Sequence, residues 1–293
     1  SSDLNAVQKC FIGKAEIELL GRDYELFELQ RSFYQREWTV SHSNDLKQDF
    51  AAREEYVYMI VKWLKRCCRR LKERSVKNAD EQYSLDLVLA EVLRFELRWL
   101  DLLFDIRENA ESAVYFSLRS YHNERVRVLE EFHPLVTLRS EKIQIGYLYA
   151  LALTEQAEHE RRLYEENLIM SANVLEVLLK YILDDEYIEP YLNYPSVSRQ
   201  KLSEALGGVT VTLGEYYRQA ERYDEAALAF EKATTLYLRL YGESEGAEST
   251  DVLFLRLAEY ACAQAMEIRT QFFSDGDHLK LSGLFNKIKA LKQ

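Results

Sequence analysis

Apolar residues recur at helical spacing through most of this chain. Between residues 43 and 76 an apolar set returns to one side of a helical wheel: Phe50, Val57, Ile60, Val61 and Leu64. The same periodicity predicts helices over 4–20, 22–39, about 80–103, about 110–131 and, as one or two helices, 137–183. It resumes from Ser196 or Ser198 and predicts further helices at about 250–273 and 278–292. Helices therefore account for nearly the whole chain.

Glycine and proline are scarce, which strengthens the helical prediction. The 293 residues include 10 Gly and 3 Pro, and no glycine lies between Gly21 and Gly146. Because these two residues usually mark the tight turns of sheets, their scarcity favours long helices. We therefore predict an all-α protein.

The clearest interruption lies at 184–195, where two prolines and four acidic residues fall within a dozen positions. Such a composition predicts an irregular connection. It divides the chain into 1–183, which is either a divergent array of helical hairpins or a separate bundle, and 196–293. We favour a continuous array, because the hairpin rhythm persists on both sides of the connection.

Residues 207–240 carry a pattern of small and aromatic residues. Leu213-Gly214 is followed, at intervals of three to six residues, by aromatic residues and alanines: Tyr217, Tyr223, Ala226, Phe230 and Ala233. This pattern resembles one unit of the tetratricopeptide (TPR) family of helical repeats. Leu257-Ala258 and Tyr260-Ala261 repeat part of it 44 residues later, a step similar to that of the kinesin-light-chain branch. The chain departs from the family at Thr210 and Leu238, where tryptophan and proline are common.

The resemblance, over about 207–273, implies antiparallel helical hairpins stacked as a right-handed solenoid, with 278–292 as a capping helix. It also implies a non-enzymatic scaffold that binds a peptide or helix of a partner protein in a groove lined by the first helix of each unit. The matching exposed positions are Glu215, Arg218, Gln219 and Glu259. They do not resemble the family's carboxylate clamp, which disfavours binding of chaperone tails. An ordinary solvent-exposed surface is the competing interpretation.

A basic stripe is the strongest charge feature. Lys62, Lys65, Arg66, Arg69 and Arg70 stand at offsets of 0, 3, 4, 7 and 8, so they share one face of the predicted helix. Such a face suits a phosphorylated or acidic protein, an anionic lipid or RNA, which makes an electrostatic recognition module the alternative function. A solvated face that pairs with the chain's own acids is the simpler interpretation.

Tyrosine is abundant, with 20 residues. Because it brings contact area and a hydroxyl group at small entropic cost, it is enriched at interfaces. It also fills space between helices. Tyr187, Tyr191 and Tyr194, in the acidic connection, are the better candidates for an interface loop.

Composition narrows the classes of function and location. The net charge of −11 makes nucleic acid an improbable general partner, and no apolar run reaches the length of about 20 residues that a membrane span needs. Four scattered cysteines predict a reducing location, in the cytoplasm or nucleus. Because the chain starts Ser1-Ser2 without Met, we expect it to be a piece of a longer protein.

Enzyme signatures are weak. Glu130-x-x-His133 is half of a di-metal motif without its second half, and Gly207-Gly208 lacks the Lys-Ser/Thr of a phosphate loop. We predict neither a catalytic residue nor a metal or other cofactor.

Overall fold

The computed structural model describes residues 65, 86–87, 89–94, 96–98, 100–101, 118–183, 186–190, 194–243, 248–273 and 277–291. Most of them are helical, which confirms the all-α prediction. The helices predicted over 4–20 and 22–39, and nearly all of 43–76, lie outside these residues. The chain forms two compact units, 1–112 with 134–136, and 113–133 with 137–293. The segment 184–195 thus lies inside the second unit.

In the first unit, the described residues between Asp86 and Asp101 are helical. Val92, Leu93 and Leu97 are buried almost completely, as the dense apolar pattern of this segment predicts. Leu87 is partly exposed, so the helix keeps a solvent-facing side at that end.

The described helices of the second unit follow one another with short connections. In chain order they are α1 (Leu118–Phe132), α2 (Arg139–His159), α3 (Tyr164–Tyr181), α4 (Arg199–Gln219), α5 (Tyr223–Glu243), α6 (Glu248–Phe272) and α7 (Asp277–Leu291). Two 3₁₀ turns, His133–Leu135 and Arg161–Leu163, follow α1 and α2, and a strand pair, β1 (Tyr187–Ile188) and β2 (Val197–Ser198), separates α3 from α4. Each α-helix packs against the next one along the chain.

Local chemistry explains several helix ends. Helix α1 ends at Phe132, because Pro134 restricts His133 before it. Ser198 begins α4 as its N-cap, and its hydroxyl oxygen accepts a hydrogen bond from the Lys201 amide at 3.2 Å. In the turn between α4 and α5, Glu221 has a positive φ of 59°, a conformation that costs free energy for a residue with a Cβ.

The connection between α3 and α4 is more ordered than its composition predicts. Strands β1 and β2 pair antiparallel, with Tyr187 opposite Ser198 and Ile188 opposite Val197. The buried side-chain amide of Gln144, on α2, donates to the backbone oxygens of Glu189 at 2.7 Å and of Pro195 at 3.1 Å. Within the predicted connection, 184–195, Tyr187 and Ile188 thus form a short strand, and the buried glutamine binds the backbone at Glu189 and Pro195.

Two apolar clusters fill the described part of the second unit. One cluster joins α2, α3, α4 and the strand pair, and the other joins α5, α6 and α7 with partly buried residues of α4 at its edge. Close packing of α4 on α5 rests on two glycines two helical turns apart. An added Cβ on Gly207 would lie 2.8 Å from the ring of Tyr237, and one on Gly214 would lie 3.0 Å from the ring of Phe230. Only a missing side chain leaves room for these rings.

Candidate functional site

Helices α4 and α6 both pack on α5, and this shared neighbour brings their polar edges together. Helices α5 and α6 can pack closely, because small side chains stand in their contact. Four alanines there are completely buried: Ala226, Ala233, Ala258 and Ala265. The surface between α4 and α6, which we call the α4–α6 surface, is where the sequence predicts a binding groove.

Hydrogen bonds join two of the predicted groove residues to α6. The Tyr260 hydroxyl donates to Oε1 of Glu215 at 2.8 Å, and the Arg218 guanidinium donates to the side-chain oxygen of Gln264. Burial, followed by this hydrogen bond from its own hydroxyl, raises the pKa of Tyr260. The hydroxyl therefore stays protonated and serves as a donor at neutral pH.

The other two predicted groove residues lie nearby on the same helices. Gln219 is exposed at the end of α4, and Glu259 is half-buried on α6 beside Tyr260. Tyr260 and Gln264 are not among the residues predicted to line the groove. The 44-residue step already pointed to Tyr260, and Gln264 follows one turn later on the same face.

Helix α6 also presents apolar groups beside these polar ones. Leu253 is 52% exposed and Tyr260 is 40% exposed, two turns apart on one helix face. Arg256 and Glu267 lie exposed on the same side. The surface thus offers an aliphatic group, an aromatic ring and charges of both signs, a combination that suits an amphipathic ligand.

An aromatic cluster lies at the C-terminal end of α4. The ring centroids of Tyr164 and Tyr216 are 5.3 Å apart, and the guanidinium of Arg222 lies 4.5 Å from the ring centroid of Tyr217. Arg222 also donates to Glu165 at 2.6 Å and to Glu225. The hydrogen bond to Glu225 makes the largest contribution to raising the pKa of Arg222, and the one to Glu165 makes the next. The positive charge of Arg222 is thus already paired within the chain.

The residues predicted for an interface loop have different environments. Tyr187, on β1, is exposed, and Tyr191 lies outside the described residues. Tyr194 is only 2% exposed, and its hydroxyl lies 3.4 Å from Oε1 of Glu141. The interface prediction is wrong for Tyr194, because this ring is buried and offers no surface to a partner.

The basic stripe is represented in the structure by Lys65 alone. Its side chain is buried, and its ammonium group lies 2.7 Å from Oε2 of Glu96. Lys65 therefore pairs within the chain, and its burial fits neither a solvated face nor an exposed binding face at this position. Lys62, Arg66, Arg69 and Arg70 lie outside the described residues, and their role stays a prediction.

Groups that could support metal chemistry are not clustered in the described ranges. No three His, Cys, Asp or Glu side chains there are arranged to hold a metal ion. His133 packs its ring against Tyr149, with 6.3 Å between centroids, and burial followed by the charge of Lys142 lowers its pKa. Burial also raises the pKa of the Cys262 thiol to about 11, which leaves it protonated and a poor nucleophile at neutral pH. Both side chains act as packing groups.

Among the residues that the structure describes, no helix combines the length and apolar character needed to cross a bilayer.

Comparisons with known proteins give no match: no protein-family model, curated protein or solved structure matches the chain.

Proposed function

We propose that this chain is a non-enzymatic, intracellular interaction scaffold that binds a peptide or helix of a partner protein on the α4–α6 surface. The observation that carries the proposal is the convergence on one surface of Glu215, Arg218, Tyr260 and Gln264, which lie on two different helices. A ligand that contacts both helices gains charge and hydrogen-bond partners along its edges and apolar area from Leu253.

A TPR-like right-handed solenoid is the proposed architecture behind this surface. Three features support it: successive helices pack in chain order, glycine and alanine let α4, α5 and α6 approach closely, and tyrosines recur at a 44-residue step, Tyr216 and Tyr260. In such an array the first helices of neighbouring hairpins line one side. Here these helices are α4 and α6.

The physical basis of binding is the burial of apolar side chains, with polar contacts setting the register. Leu253 and the ring of Tyr260 supply the apolar contact, whereas Arg218 and Glu215 can exchange their internal partners for those of a ligand. Because burial of apolar area supplies most of the affinity, we expect binding to persist in moderate salt.

A pull-down with a matched pair of variants tests the proposal. Leu253→Asp places a charge on the α4–α6 surface, and Leu228→Asp places the same charge on the exposed outer side of α5, where Leu228 is 58% exposed. Mass spectrometry then compares the proteins that each immobilised chain retains from lysate, after circular dichroism has confirmed folding.

The expected result is a specific partner retained by the wild type and by Leu228→Asp but lost with Leu253→Asp. Calorimetry with a synthetic segment of that partner should give the same order of affinities. A partner retained equally by all three chains, or the absence of any enriched partner, would refute the proposal.

A further inference from the structure

Helix α3 carries an exposed stripe that no contact within the described chain covers. The exposed positions on this helix are Glu166, Ile169, Met170, Asn173, Val177, Lys180 and Tyr181. They recur at intervals of three and four residues, so they lie along a single face. Val177 is 47% exposed and Tyr181 is 58% exposed, and we call this face the α3 stripe.

The α3 stripe carries opposite charges at equal distances from its centre, with apolar groups between them. Asn173 stands at its centre, and Glu166 and Lys180 lie seven residues before and after it, which is two helical turns or about 10 Å in each direction. Met170 and Val177 lie on opposite sides of the centre. Reversing the helix therefore exchanges an acid for a base and one apolar group for another.

A surface of this kind is complementary to a second copy of itself. In a dimer with two-fold symmetry, each residue of one copy contacts in the other copy the residue that contacts it in return. Two antiparallel α3 helices centred on Asn173 would place Glu166 opposite Lys180 of the second copy, and Met170 beside Val177 of the second copy. Opposite charges and apolar groups then meet twice, once at each end.

The charges at both ends are available for such pairing. Neither Glu166 nor Lys180 forms an ion pair or hydrogen bond with another residue that the structure describes, whereas neighbouring acids on α3 are already paired. Glu165 binds Arg222, and Glu176 binds Lys232. Glu166 and Lys180, at the two ends of the stripe, are thus the residues that could form ion pairs with a second copy.

The shape of the stripe supports the same arrangement. A cleft of about 420 Å³ lies along the N-terminal half of α3. Its lining combines apolar and aromatic side chains with charged ones: Ile169, Met170, Tyr216, Asn173, Arg161, Arg162, Glu165 and Glu166. The C-terminal half instead projects the exposed side chain of Tyr181. A two-fold pairing sets the hollow half of each copy against the projecting half of the other.

We infer that the α3 stripe is a self-association surface, on which two copies of this chain form an antiparallel, two-fold symmetric dimer. One helix face covers less than the roughly 800 Å² per partner that a standard stable interface buries. Association is therefore weak, and dimers form at micromolar or higher concentrations. This surface lies on a different helix from the α4–α6 surface and does not depend on the proposed partner.

Sedimentation equilibrium of the full chain tests the inference. The wild type should change from the monomer mass of 34.5 kDa towards twice that mass as its concentration rises through the micromolar range. Val177→Asp should remain monomeric, and Leu228→Asp, with the same change at an exposed position on α5, should dimerise like the wild type.

Exchange of the two end charges tests the antiparallel register. Glu166→Lys or Lys180→Glu alone converts both attractive pairs of the dimer into repulsive ones and should weaken it by about tenfold. The double exchange restores opposite charges and should recover most of the affinity. Because these side chains are exposed, all three variants should fold.

Several outcomes would overturn the inference. A wild type that is monomeric at every concentration contradicts self-association, and if Val177→Asp then loses a protein partner, the stripe belongs to that partner. A dimer unaffected by Val177→Asp forms elsewhere on the chain. A double exchange that remains as weak as either single exchange contradicts the antiparallel register.

Discussion

Packing of α4 on α5 depends on the absence of a side chain at Gly207, and alanine at this position tests that dependence directly. The added methyl group would lie 2.8 Å from Cε1 and Cζ of Tyr237, well inside the optimal carbon–carbon separation of about 3.5–4.0 Å. The Tyr237 ring is buried, so it cannot swing into solvent to make room.

The expected cost follows from comparison with the next residue. Overfilling a packed interior costs about 1–3 kcal/mol, whereas alanine in place of glycine inside a helix gains about 1 kcal/mol. An added Cβ on Gly208 meets no atom within 4 Å. Gly208→Ala should therefore gain helix stability without the cost of overfilling the interior. We expect Gly207→Ala to be less stable than Gly208→Ala by about 1–3 kcal/mol.

Calorimetry of the full chain measures the difference, with about 2–4 °C of melting temperature expected for each kcal/mol in a unit of this size. Hydrogen exchange of α4 and α5 amides should locate the loss in this helix pair. Tyr237→Leu in the Gly207→Ala background should recover part of it, since the clashing ring is gone. Equal melting temperatures for the two alanine variants would refute the packing argument.

Three further predictions concern single side chains. Burial raises the pKa of the Cys262 thiol to about 11, so Cys262 should resist iodoacetamide in the folded chain at neutral pH and react after unfolding. Rapid labelling of the folded chain, measured by peptide mass spectrometry, would contradict the burial of this thiol. Burial, followed by the charges of His159 and Arg125, lowers the pKa of His122 from 6.5. The unfolded state thus binds the proton more readily, and urea titrations should show the free energy of unfolding falling as the pH drops below about 6.5, less so in His122→Gln. The side chain of Arg269 is nearly buried, and its guanidinium lies 3.0 Å from the Glu231 carboxylate. Arg269→Ala should therefore lower the free energy of unfolding by about 1–3 kcal/mol, and Arg269→Met should lower it less, because methionine keeps the apolar part of the side chain. Equal melting temperatures for the two variants would show that packing of this apolar part is unimportant.

Periodicity and caps predict the helices, because these signals are local. Of the two serines that the sequence offers as the start of α4, Ser196 and Ser198, the second is the N-cap, and α1 ends ahead of Pro134. Gly214 and Phe230 both belong to the repeat-like pattern, and in the structure the Phe230 ring occupies the space beside Gly214. In each case the deciding groups lie close in sequence or on consecutive helices.

Burial of loop and surface groups is harder to predict, because it depends on distant residues. Tyr194 enters the interior beside Glu141, 53 residues earlier, and nothing near Tyr194 in the sequence indicates that contact. Lys65 pairs with Glu96, 31 residues later. Periodicity assigns such residues to a face of a helix but cannot say which neighbour covers that face.

The exposure of the α3 stripe could not be predicted from the sequence either. Its spacing is visible in the sequence, but the period of a helix does not distinguish a covered face from an exposed one. The structure shows α3 packed between α2 and α4, with the face that has Asn173 at its centre exposed and not covered by any other helix of the described residues. The opposite charges at its two ends, Glu166 and Lys180, then bear on the proposed pairing with a second copy.

Site-specific photo-crosslinking tests the central claim, that a partner protein binds the α4–α6 surface. A benzophenone amino acid replaces Leu253 in one chain and Leu228 in another, two exposed leucines on different helices. After irradiation with the captured partner, we expect a crosslinked product from position 253 and none from position 228. Crosslinking from position 228 alone, or equally from both, would contradict the proposed binding surface.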